Sequence, residues 1–523
     1  LLFNKKPRLS KFQTVGVLTN FLTEQVIQRD FITKKMDFGE CEDLIEKNKI
    51  EVVFIEKQLY EEDHPWVVFN LDERIQYFKK LNVNIIIINN SDDTKIIDKE
   101  CFQINMSVDN GDKFSYTNDA LMTPLLINEK KYNPIDSKKI KDILIIDLNS
   151  GETELSDEFK KFIKIVKPTI EFLKSDNISR SFIKNLSLKI KKYKVVYFLN
   201  SNIVNKRFLL NLELLCAAQK TIMIIDSEFD FDLKFNVHSS DEETNINYLQ
   251  SFLNPGVHND HKMISNNRVT FLKNSLMQYK GLPNLINGDT VKEEITISVI
   301  TSTKRKWTLK NYIKRLNQQN DIKLESILLT HGFELTEIEK KELYNLANFS
   351  LSIISAKSNI VFGACLNMCI DEISFKYFTK IDDDDFYYPN YLIDSWIALE
   401  YSKADIVGKY SQFVYLEELD LTVQRFSSRE YIYSEYVAGA TIFSESEFIK
   451  KYRFSEIPKA VDSDILRRVK ADNGTIYCNH PYEFCIFRDN DKESHTWQAP
   501  DTHLLRSADI LFYGEPSASL SIN

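Results

Sequence analysis

The sequence predicts an α/β protein in which two Rossmann-like units precede a third α/β domain. Three observations point there. Apolar strand-like runs alternate with helical stretches along all 523 residues, the pattern of sheets covered by helices. The chain is too long for one ordinary core at roughly 150 residues per domain. Polar stretches at 128–141 and 281–294 divide it, giving expected domains at 1–135, 136–290 and 291–523.

The elements follow in order. "TVGVLTN" (14–20), "IEVVFIE" (50–56) and "VNIIIINN" (83–90) are predicted buried parallel strands, with "LDERIQYFKKL" an amphipathic helix before the last. "NEKKYNPIDSKKIK" (128–141) reads as a linker. "DILIIDLN", "KVVYFLNS" and "TIMIIDS" give the strands of the second unit, and "KRFLLNLELLCAAQK" its last helix. Paired Rossmann-like units commonly enclose a ligand cleft, but no G-x-G-x-x-G follows any early strand, so spacing alone marks no nucleotide site there. After the polar passage 281–294, "ITISVITST" opens the third domain, followed by a helix, the strand "LESILLTHG", a further helix, and "SNIVFGACLNMCI".

Composition narrows the function. The chain is 43% hydrophobic, 27% charged and 12% aromatic, with a net charge of −9 and pI near 5.6. That balance excludes a nucleic-acid binder relying on a broad basic surface, although "KNLSLKIKKYK" is locally basic. The seven cysteines are scattered in mostly apolar runs, as expected of reduced structural thiols in a cytosolic protein. Cys365 and Cys369 share a helical i, i+4 spacing without a second pair to complete a zinc site. No apolar run reaches the roughly 20 residues of a membrane span. The chain begins at Leu1 without Met, which points to a preceding segment.

The chemistry concentrates at "YFTKIDDDDFYYP" (377–389), where a strand runs into four aspartates. At about 4 Å two like charges repel by roughly 1 kcal/mol in water and roughly 4 at an effective dielectric near 20. Open solvent or a cation should offset that. Ligands of open α/β sheets sit beyond the carboxyl ends of strands, where hard oxygens can hold a divalent cation that bridges phosphates. The bland reading is a solvated acidic turn capping "NYLIDSWIALEYS", with Pro389 near its start. Further on, the acidic "VDSDILRR" reads either as a helix start capped by Asp462 or Ser463, or as the source of a carboxylate base.

In their order and spacing, "TISVITSTKR", "FGACLNMCI", "KIDDDDFYYPNYL", "ADIVGKY", "YVAGATIF", "VDSDILRR" and "HTW" resemble family 2 glycosyltransferases of the A-type nucleotide-sugar fold, over essentially all of 295–500. The resemblance implies a D-x-D-D motif in which Asp382 and Asp384 hold Mn2+ or Mg2+ against the donor diphosphate, with Asp383 between them on the donor side and Asp385 and Pro389 completing the pattern. It implies that Thr301, Lys304 and Arg305 approach the nucleotide, and that Gly363 and Asn367 line the donor pocket. The second strand departs from the family: it ends in Thr330, His331 and Gly332 instead of the Asp-rich turn that helps read uracil. Asp462 matches the base that takes the acceptor proton, with Asp464 the second choice. His495 matches a C-terminal metal-completing histidine, with Trp497 beside it a candidate to stack on a sugar; His480 is a weaker ligand candidate.

The first two units resemble B-type glycosyltransferase-like domains of the spore-maturation kind, with Glu213 at the position that holds the donor ribose in active relatives. "ELLCAAQK" lacks the glycine and small hydroxyl residue of the usual "ELLACGT", which implies a non-catalytic module that binds acceptor polymer or supports assembly. The resemblance as a whole implies a metal-dependent glycosyltransferase of the hexosyltransferase type. It would move a sugar from a nucleotide-sugar, a UDP-sugar first, to a bacterial cell-surface polymer such as teichoic acid or capsular glycan, with inversion. No nucleic acid and no membrane span are expected. The expected location is cytoplasmic, compatible with peripheral association at the inner face of the membrane and with homo-oligomerisation. The alternatives are a glycan-binding scaffold on degenerate transferase domains, or a transferase active in its B-type half. A nucleotidyltransferase would need a Gly-rich loop after the first strand, and "TSTKRKW" has no glycine.

Overall fold

The computed structural model describes residues 8–522 except 37–40, 61–69, 91–94, 107–114, 117–119, 124, 138, 149–154, 176–177, 200–205, 226–236, 239–240, 255–256, 275, 290–291, 490–500, 507 and 517–518. The chain forms two compact units, Leu1–Glu293 and Glu294–Asn523. It is α/β throughout.

The first unit holds two sheets. In the seven-stranded one, Thr14–Leu18 lies between Ile32–Lys35 and Val52–Glu56, and Asn84–Asn89, Phe102–Met106 and Ala120–Thr123 continue outward in parallel. Its centre is apolar because Val53, Phe54, Ile86 and Ile87 are fully buried, as the continuous Val/Ile runs of two-sided parallel sheets require. The carboxyl edge is polar. The buried Glu56 carboxylate accepts from the Asn20 backbone amide (2.7 Å) and from the Asn20 and Asn90 side chains. Burial pushes this carboxyl up, against the lowering by those hydrogen bonds. Arg207, on the helix Lys206–Ala218, donates to Asn90 Oδ1 (2.7 Å) and to the Met106 carbonyl (2.9 Å). The second sheet is five parallel strands in the order Val237–His238, Ile222–Ile225, Tyr193–Leu199, Lys141–Asp147, Ile170–Lys174.

The stretch expected to be a linker, and the polar passage before the third domain, both contain packed residues. Within 128–141, Tyr132 and Asn133 are buried, and Glu129 forms a buried ion pair with Arg29. Charged residues read as polar in sequence yet can be buried where they are paired. Within 281–294, Leu282–Asn287 is a short helix, bracketed by Gly281 (φ 112°) and Gly288 (φ 101°), with Leu282, Leu285 and Ile286 buried.

The second unit is built on an eight-stranded sheet. In chain order its strands are β1 (Thr296–Thr303), β2 (Lys323–His331), β3 (Ser350–Ala356), β4 (Tyr377–Lys380), β5 (Ile406–Gly408), β6 (Ile432–Ser434), β7 (Phe443–Glu445) and β8 (Ile476–Cys478). The spatial order is β3-β2-β1-β4-β7-β5-β8-β6, parallel from β3 to β4, with β7 antiparallel to β4 and β5. The helices α1 (Leu309–Leu316), α2 (Glu337–Leu346) and α3 (Phe362–Asp371) connect the parallel strands; α4 (Tyr391–Ser402) and α5 (Val461–Ala471) follow. α2 starts at a capping box of Thr336 and Glu339, which satisfies otherwise orphaned amides. A second sheet orders Phe386–Tyr387, Phe484–Arg488, Gln412–Leu416, Leu421–Arg425 and Ala508–Tyr513.

Candidate active site

Because β1 and β4 are neighbouring parallel strands, the turns that follow them emerge side by side at the carboxyl edge of the sheet. The Thr301 hydroxyl donates to the Ile381 carbonyl (2.7 Å), and the Ile381 amide donates to the Ile300 carbonyl (3.1 Å). Thr301 is therefore a buried seam between the turns. Lys304 is exposed on the turn after β1.

The four aspartates alternate. The Asp383 side chain is 3% exposed and that of Asp384 16%, while that of Asp382 is 39% exposed. Asp383 accepts from the hydroxyls of Thr303 (2.8 Å) and Thr308 (2.5 Å) and from Arg305 Nε (3.1 Å) and Nη2 (2.5 Å). Arg305 Nη1 donates to Asp384 Oδ2 at 2.6 Å. One guanidinium thus ties two carboxylates; burial works against its charge, and Asp383 and Asp384 more than offset that. Asp385 accepts from the Phe487 amide (3.0 Å). Burial, then Asp384 and Asp382, hold its carboxyl well above the usual carboxylate range.

Lys380, the last residue of β4, is the second internal cation. Its side chain is 3% exposed, and its Nζ lies 2.7 Å from Asp382 Oδ1 and 3.7 Å from Asp462 Oδ2. Burial alone would lower this ammonium, but Asp382 and Asp462 outweigh it and raise it above the ordinary lysine range. Tyr387 makes a further link: its hydroxyl accepts from the Asp382 amide (3.0 Å) and donates to the Ala440 carbonyl (2.8 Å). The crowded charge is thus balanced largely by Arg305 and Lys380, a third answer beside open solvent and a metal.

α5 separates the two base candidates. Its N-cap is Ala460, in the left-handed region, so neither Asp462 nor Ser463 caps it. The Asp462 carboxylate rests against Gly439, where an added Cβ would fall 2.1 Å from Asp462 Oδ2. Among the described residues no hydrogen-bond donor reaches Asp462 Oδ1, a buried atom. Asp464 is fully engaged by Ser455 (2.5 Å), Arg467 (2.6 Å) and Arg468 (2.9 Å). The Ser455 hydroxyl first, then the two arginines, hold its carboxyl down to about 2 against the opposing effect of burial.

The remaining residues singled out in the sequence divide. Gly363 packs where a Cβ would meet the Ser455 carbonyl oxygen at 1.9 Å. The Asn367 side chain donates to the Phe454 carbonyl (2.8 Å) and accepts from the Phe454 amide (2.9 Å). Both are committed to the segment before α5. His480 is buried with Nε2 3.2 Å from Asp394 Oδ2. Glu213 is buried in the first unit. His331, ending β2, is buried and its imidazole is lowered by burial and then by Lys304. His495 and Trp497 lie outside the described residues. Sequence reasoning passed over Lys380, Tyr387 and Gly439; the available signal was a lone lysine at the end of the apolar strand "YFTK".

No protein-family model matches the chain, and no curated protein matches it. Solved structures do match. A crystal structure of S. aureus TarS shares 15% identity at a TM-score of 0.29, covering 38% of this chain and 38% of that one. TarS 1-349 in complex with UDP-GlcNAc shares 12% at 0.30, covering 39% and 61%. The mannosyltransferase PcManGT from Pyrobaculum calidifontis, in complex with GDP-Man and Mn2+, shares 11% at 0.29, covering 37% and 56%. This chain therefore spans less than two thirds of each. At such scores the likeness assigns no function.

Among the described residues no three His, Cys, Asp or Glu side chains converge into a protein-only metal cage. Asp382 and Asp384 nevertheless supply hard oxygens, and Mg2+-type sites are commonly completed around one or two carboxylates by phosphate and water oxygens. That donor chemistry suits a divalent cation, with one oxygen of each already engaged, Asp382 Oδ1 by Lys380 and Asp384 Oδ2 by Arg305.

Proposed function

We propose that the second unit is the catalytic domain of a glycosyltransferase of the hexosyltransferase type, using a nucleotide-sugar donor, UDP-linked first. The observation that carries this reading is convergence. The acidic turn, in which Asp382 and Asp384 are the pair assigned to metal, and the Asp462 carboxylate from a distant helix meet through Lys380 at the carboxyl end of a parallel sheet.

In this reading Asp382 and Asp384 hold Mn2+ or Mg2+, which when bound supplies charge neutralisation for the departing nucleoside diphosphate. Arg305 fixes Asp383 and Asp384 so that the turn keeps its shape, while Thr301 locks it to β1. Asp462 takes the proton of the acceptor hydroxyl as that oxygen attacks the anomeric carbon, a role that needs a carboxylate within hydrogen-bond reach. Attack opposite the leaving group gives inversion. Asp464, already bonded three ways, serves structure. The acceptor we favour is a hydroxyl of a bacterial cell-surface polymer such as teichoic acid or capsular glycan. It rests on the family resemblance and on the Ile-, Lys- and Asn-rich composition.

The test is a panel of UDP-, GDP- and CDP-sugars, with Mn2+ present or chelated, read as nucleoside diphosphate release and thermal stabilisation. Metal-dependent release from one donor is expected. Silence from every donor overturns the reading in favour of a glycan-binding scaffold.

A further inference from the structure

We propose that Lys380 is a positioning residue, a built-in cation that ties the Asp382 carboxylate to that of Asp462 and so sets the spacing between the donor and acceptor sides of the site. The inference rests on the transferase reading above.

Three observations carry it. First, the Lys380 side chain is almost wholly buried, and a buried ammonium persists only where carboxylates compensate its lost hydration. Here the compensation comes from two separate elements, the turn after β4 and the first turn of α5. Second, Lys380 is the one cation within 4.0 Å of Asp462 among the described residues, whereas Asp464 has two arginines. Nothing else described holds the Asp462 carboxylate by charge. Third, Gly439 leaves a space that the Asp462 carboxylate fills and a methyl group would not share. The carboxylate is thus constrained by shape at Gly439 and by charge at Lys380, both at Oδ2.

The arrangement has a function in a single displacement. Asp382 and Asp462 are like charges that must stand close together, one beside the diphosphate and one beside the attacking hydroxyl. An ammonium close to both offsets their repulsion and holds the Asp462 carboxylate in place, with the side chain still 28% exposed to meet the acceptor hydroxyl. The same ammonium opposes a divalent cation at Asp382. Removing it should therefore strengthen metal binding while weakening turnover, a pair of opposite changes that loss of structure does not produce.

The experiment compares the full-length wild type, K380M and K380R. Mn2+ binding without donor is read by electron paramagnetic resonance. kcat and KM are measured with the first donor that the wild type hydrolyses. For K380M we expect Mn2+ to bind about tenfold more tightly, because a nearby like charge is gone. Its kcat should fall by roughly 10²-fold with donor KM little changed, the scale of a misplaced general base. K380R should recover much of that kcat. A K380M kcat equal to that of an active wild type overturns the inference. So does a joint loss of kcat and Mn2+ affinity that K380R does not restore, which marks a purely structural lysine. A wild type that neither binds Mn2+ nor releases nucleoside diphosphate overturns the transferase reading and this inference with it, and is told apart by the inactive parent.

Discussion

Asp462 and Asp464 sit two residues apart on one helical turn and have opposite surroundings, which decides their expected behaviour. D462N should keep donor binding and lose turnover by roughly 10²-fold or more, because a carboxamide cannot take the proton. D464N should keep turnover and lose about 1–3 kcal/mol of stability in urea denaturation, the worth of hydrogen bonds to a charged group. The acid response of Asp464 has a definite sign. Its carboxyl is held at about 2 against an ordinary 3.8, so its contribution to stability is full above the ordinary value and disappears as pH falls towards 2. Acid unfolding monitored by circular dichroism should therefore lose part of its steepness over that window in D464N. Asp384 is partnered by an arginine that also holds Asp383, so D384A should abolish transfer while Arg305 keeps the turn folded.

At the scale of elements, two glycines govern how segments approach. A Cβ on Gly439 would fall within 2.6 Å of three atoms of Asp462, so G439A should move the carboxylate and depress kcat with little effect on donor KM. At Gly363 the obstacle is the backbone carbonyl of Ser455. Backbone yields poorly, and G363A should cost about 1–3 kcal/mol in chemical denaturation, the scale of overpacking a close contact.

The long parallel strands were legible because strands buried on both faces must be continuous Val/Ile runs. The short strands β5 to β8 were not, since three residues carry no period to read. The helix Leu282–Asn287 left a signal in its flanking glycines and its early proline, yet its surrounding polar residues made it read only as a polar passage. In the site, the aspartates announced themselves by crowding, whereas Lys380 and Gly439 gain meaning only when distant segments meet.

For the whole molecule, the two compact units carry different chemistry at their sheet edges. In the second unit the carboxyl edge presents carboxylates partly open to solvent. In the first, the edge beside Thr14–Leu18 and Val52–Glu56 is taken up by Asn20, Glu56 and Asn90, bonded to one another and to Arg207. The proposed function assigns all donor turnover to the second unit. D384A in the full chain should leave no residual nucleoside diphosphate release, and a remainder would point to the first unit. The central claim, that Asp462 is the base of a metal-dependent transfer, is tested most directly by nucleoside diphosphate release from wild type and D462N, side by side, with Mn2+ or chelator. The account predicts release by the wild type with Mn2+ alone, and donor-induced thermal stabilisation without release by D462N. Equal release by the two proteins would contradict it.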